Sequence, residues 1–103
     1  MPTTRTPEEV ARRFAELAEI WREETEFHSS STALFMHYAY QQIIGLGPDV
    51  VPLLLADLPV THSNWYWALL SITGENPVPQ EERGRIPMME QRWLEWGRER
   101  GLI

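Results

Sequence analysis

The amino-acid sequence predicts an all-α protein, and three kinds of observation support that prediction. Apolar residues recur every three or four positions in several segments, which is the spacing of one face of an α-helix. Prolines and glycines stand where those segments begin or end. No segment alternates apolar and polar residues for long, as a half-buried strand would. The pattern divides into five helices.

The first predicted helix runs from Pro7 to about Phe27. Thr6 is a suitable N-cap, proline is favoured at the first helical position, and Glu9 completes a capping box. At about 100° per residue, one side of this helix is apolar and the other is charged. The apolar side holds Val10, Phe14, Leu17, Ile20 and Trp21, and the charged side holds Arg12, Glu16, Glu19, Arg22, Glu23 and Glu26. We therefore expect one buried stripe and one solvated face.

Two further helices are predicted in the middle of the chain. One runs from about Thr32 to Leu46, follows serines that can cap it, and ends in the segment GLGP. The next runs from Pro48 to about Leu58. Pro52 is tolerated in the first turn of this helix, but a helix that truly begins at Pro48 would be kinked there.

The fourth predicted helix runs from about Ser63 to Thr73, and the fifth from Ile86 to about Arg100. The fifth presents Ile86, Met89, Trp93 and Trp96 on one side. Prolines and a glycine make residues 75–85 an internal loop, and residues 1–6 form an N-terminal tail. We expect residues 1–103 to form a single all-helical domain.

Composition argues against several classes of function. The chain has no cysteine, which removes disulfides, zinc–cysteine sites and thiol nucleophiles. Its formal net charge is −6 and it has no basic stripe, so the main driving force for binding a phosphate backbone is missing. No apolar run has the length of a membrane span or the features of a signal peptide. We therefore expect a cytoplasmic protein with neither nucleic acid nor membrane as a partner.

Residues 39–74 resemble a HEAT-type helical repeat. The resemblance lies in a helix that ends in IIGLG, a tight turn into PDVVPLLLADL, and a new helix that contains WALLSITG. The whole chain is also similar to a group of small bacterial proteins with a GP…VP.LL…W.WAL..ITGE.PVP core, a likeness that implies no particular activity. About one and a half repeats do not make a free-standing solenoid. The resemblance therefore implies a compact five-helix bundle in which the first and last helices cap a HEAT-like central pair.

The sequence contains no evident catalytic or metal-binding constellation. His28, His37 and His62 are too far apart to form a helical metal-binding pair, and the middle of the chain offers only Asp49 and Asp57 as carboxylates. We expect no metal, no cofactor and no enzymatic activity. Asp57 lies at the edge of an apolar face, beside the same loop as His62, and needs a partner there. The expected partner is a backbone N–H at the start of the fourth helix or a C-terminal arginine.

The aromatic cluster at residues 65–67 makes the fourth helix apolar on both sides. With Trp65 as reference, Ala68, Leu69 and Ile72 lie within about 60° of it and define a core face. Tyr66, Trp67 and Leu70 lie on nearly the opposite side. They are either sandwiched inside the domain or exposed to a partner, and tryptophan and tyrosine dominate interface hot spots. The candidate partner-binding residues are Tyr66, Trp67, Leu70, Asp57 and His62.

The sequence favours a non-catalytic protein–protein interaction module, such as a regulator, an adaptor or an antitoxin-like inhibitor of a bacterium. Such a module binds another protein or a second copy of itself. Two alternatives stay open. One is a helical ligand-binding or hydrolase-like domain with a pocket near His62, Asp57 and Trp65. The other is an acidic inhibitor that mimics a nucleic acid through the glutamates of the first helix.

Overall fold

A computed structural model describes residues 6–27 and 30–103. These residues contain α-helices and short 3-10 segments and no strand, so the all-α prediction is confirmed. No single helix among them is long and apolar enough to cross a membrane; segments 38–45 and 47–61 meet that test only together, as a bent pair. The chain divides into two compact units between Val50 and Val51. The single domain over residues 1–103 stays a prediction, and of the predicted tail only Thr6 is described.

The first unit begins with α1, which spans Pro7–Glu24. As the capping signal predicts, the Thr6 hydroxyl accepts a hydrogen bond from the backbone N–H of Glu9 at 3.2 Å. The predicted end at Phe27 is three residues too late, because Thr25 already leaves the helical conformation as the C-cap. His28 and Ser29, which follow, lie outside the described residues.

The buried stripe of α1 packs on a helix from the second half of the same unit, α3 (Tyr38–Gly45). Four of the five predicted stripe residues are buried, and Ile20 is half-buried. The Trp21 and Tyr40 rings lie 5.4 Å apart, and the Trp21 indole N–H donates to the carbonyl of Leu34 at 2.9 Å. A large aromatic side chain with a satisfied polar atom thus joins α1 to the segment that precedes α3.

The prediction of one helix from Thr32 to Leu46 is wrong. The segment forms α2 (Ser31–Met36) and α3, and the break lies at His37, whose ψ of 137° is extended. The His37 Nδ1 accepts the backbone N–H of Ala39 at 3.1 Å, so this side chain is the N-cap of α3. The described chain therefore has six α-helices where five were predicted.

The second unit contains α4 (Val51–Thr61), α5 (Tyr66–Thr73) and α6 (Ile86–Glu99). Pro52 lies in the first turn of α4 as predicted. The predicted start at Pro48, which would have implied a kink at Pro52, is three residues too early, since Pro48 lies in a separate 3-10 segment, Gly47–Val50. The α4 helix continues past the predicted end at Leu58, and α5 begins three residues after the predicted Ser63.

An ion pair ties the segment between α5 and α6 to α6. This segment contains a 3-10 turn, Gln80–Glu82, within the stretch predicted as a loop. Both Glu82 carboxylate oxygens accept hydrogen bonds from the Arg92 guanidinium, at 2.9 and 2.8 Å. The Arg92 guanidinium holds the pKa of the buried Glu82 carboxyl below its ordinary value. Two parallel hydrogen bonds of this kind fix both the distance between the two side chains and their relative orientation.

The core of the second unit is built where α4 contacts α5 and α6. Its buried apolar side chains are Val51, Leu54, Leu55, Leu58, Trp65, Tyr66, Ala68, Leu69, Val78, Trp93 and Trp96. Gly97 marks the close approach of α4 to α6, because a Cβ at this position would lie 2.7 Å from Leu55 Cδ1. On the predicted apolar side of α6, Trp93 and Trp96 are buried, Met89 is half-buried, and Ile86 is exposed.

The substitution Gly97→Ala should lower the free energy of unfolding by about 1–3 kcal/mol, the usual cost of overpacking. Leu55 is fully buried and has little room to move away from the new methyl group. Gly45→Ala is the matched control, because Gly45 is also helical but its Cβ would meet nothing within 4 Å. That change should stabilise by up to about 1 kcal/mol. Urea unfolding measures both; a Gly97→Ala protein as stable as the native one would contradict the close approach.

Candidate functional site

The polar groups of the second unit concentrate at the loop between α4 and α5. Asp57, on the last turns of α4, accepts a hydrogen bond from the Trp65 indole N–H at 2.7 Å. The Thr61 hydroxyl donates to the same carboxylate oxygen at 2.6 Å and lies 2.8 Å from the Ser63 hydroxyl. Trp65 is 0% exposed, so its N–H needs an acceptor inside the protein. Asp57 therefore anchors both ends of this loop.

Two partners of Asp57 are side chains that the sequence did not suggest. The expectation was a backbone N–H or a C-terminal arginine, whereas these two donors are side chains of the loop itself. The Trp65 contact could not be read from helical angles, because Trp65 is the N-cap of α5 and lies outside its regular turns. Asp57 and Trp65 are thus bonded to each other, and the ligand pocket near His62, Asp57 and Trp65 stays a prediction.

His62 is held in a left-handed backbone conformation, with φ of 55°. Its backbone N–H donates to the Leu58 carbonyl at 2.9 Å, so it closes the end of α4 in the position where glycine is usual. Glycine adopts this conformation without strain, whereas histidine is strained in it but carries a side chain that can make contacts. That side chain reaches α6, where Nδ1 lies 2.9 Å from Glu90 Oε1.

The His62–Glu90 contact leaves the far side of the imidazole in solvent. A carboxylate oxygen accepts, so His62 Nδ1 carries the hydrogen and donates. The His62 side chain is 66% exposed, whereas that of Glu90 is only 18% exposed. The pair therefore presents a partly enclosed carboxylate beneath an exposed ring. Glu90 was missed in the sequence because it lies 28 residues from His62 and no local pattern links them.

Tyr66 brings an unpaired hydroxyl close to Glu90. The residue is only 8% exposed, and no described residue lies within hydrogen-bonding distance of its Oη. Burial raises the pKa of Tyr66 to about 12, and the negative charge of Glu90 contributes to that shift. The sequence left two alternatives open for Tyr66, sandwiched inside the domain or exposed to a partner, and the structure places it among the buried side chains.

The structure separates the other candidate residues by exposure. Trp67 is 46% exposed, Leu70 is half-buried, and Asp57 is half-buried beside the loop. Two exposed apolar side chains that the sequence did not single out for binding lie close in the chain to His62 and Glu90. Val60 precedes His62 by two residues, and Ile86 precedes Glu90 by one helical turn on the same face of α6.

The first unit has a similar but fully paired cluster. Glu24 Oε1 lies 3.0 Å from His37 Nε2, and Glu24 Oε2 accepts from the Tyr38 hydroxyl at 3.2 Å. Because His37 Nδ1 already accepts the Ala39 N–H, Nε2 carries the hydrogen that is donated to Glu24. Each of these polar atoms is hydrogen-bonded within the protein, and the cluster links the end of α1 to the start of α3.

Among residues 6–27 and 30–103, no three histidine, aspartate or glutamate side chains are grouped as metal ligands would be. Comparisons with protein-family models, with curated protein sequences and with solved structures give no match to this chain.

Asp57→Ala should lower the free energy of unfolding by about 1–3 kcal/mol, since it leaves a buried indole N–H without its acceptor. Asp49→Ala is the control, because Asp49 is exposed on a 3-10 segment and should change stability by less than about 0.5 kcal/mol. Chemical unfolding monitored by tryptophan fluorescence reports both values. Equal stability of the two variants would show that the Asp57–Trp65 bond does not support the loop.

Tyr66→Phe should leave stability unchanged or raise it by up to about 1 kcal/mol, because it removes a buried hydroxyl that has no partner. The pH dependence adds a second test. The pKa of an unfolded tyrosine is 10.0 and that of folded Tyr66 is about 12, so the native protein loses stability as the pH rises through this interval. The phenylalanine variant should lose less. Identical alkaline unfolding of the two proteins would exclude the proposed environment of Tyr66.

Proposed function

We propose that this protein is a non-catalytic protein-binding module of the bacterial cytoplasm, with regulator, adaptor and antitoxin-like inhibitor as its possible roles. The observation that carries the proposal is the exposure of large apolar side chains in the second unit. Trp67 is the principal one, and Val60, Ile86, Met88 and Ile103 are also exposed. We propose that Trp67, Val60 and Ile86 form one surface, which we call the Trp67 surface. Trp67 directly follows Tyr66 in the chain, Val60 lies two residues before His62, and Ile86 lies one helical turn before Glu90.

Exposed side chains of this size favour binding because contact with a partner removes apolar area from water. Tryptophan is the residue type most enriched in interface hot spots, and neighbouring aliphatic side chains exclude water around it. The loop between α4 and α5 is held by Asp57, so little ordering of the backbone is needed when a partner binds.

The HEAT-like character of residues 39–74 belongs to the same proposal. Its support is the order of elements: α3 ends at Gly45, a 3-10 segment leads into α4, and a four-residue loop, residues 62–65, leads into α5. HEAT-type helices characteristically serve as binding surfaces and seldom as catalytic sites. A self-associating form of the protein would use the same surface.

Trp67→Ala tests this proposal. The variant should lose less than about 1 kcal/mol of stability, since the side chain is almost half exposed, yet it should lose the partner that the native protein captures from a lysate of its source organism. If the native protein self-associates, sedimentation velocity should show the variant as a smaller species.

Phe27→Ala is the matched control, because Phe27 is 93% exposed but belongs to the first unit. This variant should bind as the native protein does. The proposal is wrong if Trp67→Ala binds normally. It also fails if the substitution costs about 3–5 kcal/mol, which is typical of a buried aromatic side chain.

A further inference from the structure

Side chains maintain the break between α2 and α3. The local sequence does not require a break, because neither glycine nor proline occurs between residues 31 and 44. In an uninterrupted helix each backbone N–H donates to the carbonyl four residues earlier, so the Ala39 N–H would donate to the Phe35 carbonyl. In the structure both groups bond to side chains instead. The Ala39 N–H donates to His37 Nδ1 at 3.1 Å, and the Phe35 carbonyl accepts from the Gln41 amide at 2.7 Å.

Packing around Tyr40 also favours the broken conformation. The Leu34 carbonyl, which an uninterrupted helix would use for a backbone bond, accepts from the Trp21 indole N–H at 2.9 Å. The Phe35 and Tyr40 rings lie 5.6 Å apart. Residues five positions apart on one helix differ in direction by about 140°, so these two rings would point apart if the helix were continuous. The Phe35–Tyr40 contact therefore distinguishes the broken conformation from a continuous one.

His37 is the member of this arrangement that titrates near neutral pH. Its Nε2 carries the hydrogen donated to Glu24, so its Nδ1 is free of hydrogen and can accept from Ala39. Protonation adds a hydrogen at Nδ1. Both ring nitrogens are then donors, and no rotation of the ring restores an acceptor. Because Ala39 is 0% exposed, its N–H would lose its partner without gaining water in exchange.

The other ionisable groups in contact with His37 do not replace the lost acceptor. Glu24 of α1 faces Nε2, and its second oxygen accepts from the Tyr38 hydroxyl. The Tyr38 ring stacks on His37 at 4.6 Å. Desolvation and the negative charge of Glu24 raise the pKa of Tyr38, so its hydroxyl stays neutral where histidine titrates. The α2 helix has no ionisable side chain. Protonation of His37 therefore changes the cap of α3.

We propose that the break between α2 and α3 is a pH-sensitive switch. Neutral His37 caps α3 and maintains the break, whereas protonated His37 releases the cap, and residues 31–45 then form one continuous helix. As the pH falls, the Ala39 N–H donates to the Phe35 carbonyl in place of His37 Nδ1. The half-buried Phe35 ring then turns away from Tyr40, so acid exposes an apolar side chain. This switch lies in the first unit and does not depend on the Trp67 surface.

NMR of the full chain between about pH 8 and about pH 5 tests the switch. The ring shifts of His37 report its protonation. As the ring becomes protonated, the Cα shift of His37 should move from the extended to the helical range, and the cross-peaks between the Phe35 and Tyr40 rings should disappear. Extended shifts and persistent cross-peaks with a protonated ring would overturn the inference. Acid unfolding before His37 is protonated would overturn it as well.

Two substitutions of His37 should lock the two conformations. His37→Asn keeps a side-chain oxygen that caps a helix at any pH, so the break should persist throughout the titration. His37→Ala has no cap and favours helix, so the Cα shift of residue 37 should be helical at both ends of the range. The titration of native protein decides the question even if the alanine variant does not fold.

A double variant, His28→Asn with His62→Asn, is the matched control because it removes the other two histidines of the chain. Asparagine also tolerates the left-handed backbone of His62. The double variant should keep the transition of native protein. A transition that is lost in the double variant, or that persists in His37→Asn, would show that His37 does not control the break.

Discussion

The second unit depends on one hydrogen bond, from the buried Trp65 indole N–H to the Asp57 carboxylate. The tryptophan is the first residue of the turn into α5, and the aspartate is on the last turns of α4, so the bond fixes where the second helix begins. The same Asp57 carboxylate also accepts a hydrogen bond from the Thr61 hydroxyl, at the other end of the loop. This rigid loop sets the left-handed backbone of His62 and lets its ring reach Glu90. The hydrogen bond of the buried Trp65 indole therefore positions the His62–Glu90 pair.

The polar groups of the two units differ in how completely they are hydrogen-bonded. In the first unit Glu24 has two partners, and in the second Glu82 has both oxygens on one guanidinium. In the second unit two buried polar atoms have no partner among the described residues, the Tyr66 hydroxyl and the Trp96 indole N–H. Native proteins seldom leave such groups unpaired without a reason.

The local signals in the sequence were sufficient for much of the fold. The Thr6 cap, the apolar stripe of α1 and the span of α6 follow from residues close together in the chain, and the structure agrees with them. The break at His37 could not be predicted in this way, because histidine is an uncommon N-cap and its use depends on Glu24, thirteen residues away. Helix periodicity correctly predicted that Trp65 is buried. It assumed that Trp65 lies within the fourth helix, whereas the residue precedes the first turn of α5.

The candidate site was predicted only in part for the same reason. Asp57, His62 and Trp67 could be chosen because they lie within one short stretch of sequence. Glu90 required a tertiary contact, and the burial of Tyr66 required knowledge of what packs around α5. A helical wheel gives the direction of each side chain around the helix axis. It does not say how much of the helix circumference is covered by neighbouring helices. Tyr66 lies inside the covered part and Trp67 outside it.

The most direct test of this account is hydrogen exchange at the Trp65 indole N–H, followed by NMR. A bond to Asp57 in a closed loop predicts that this proton exchanges as slowly as the backbone amides of Leu54 and Leu58, which are fully buried in α4. Exchange at the rate of an exposed indole would contradict the account, because the loop would then open without unfolding of the core.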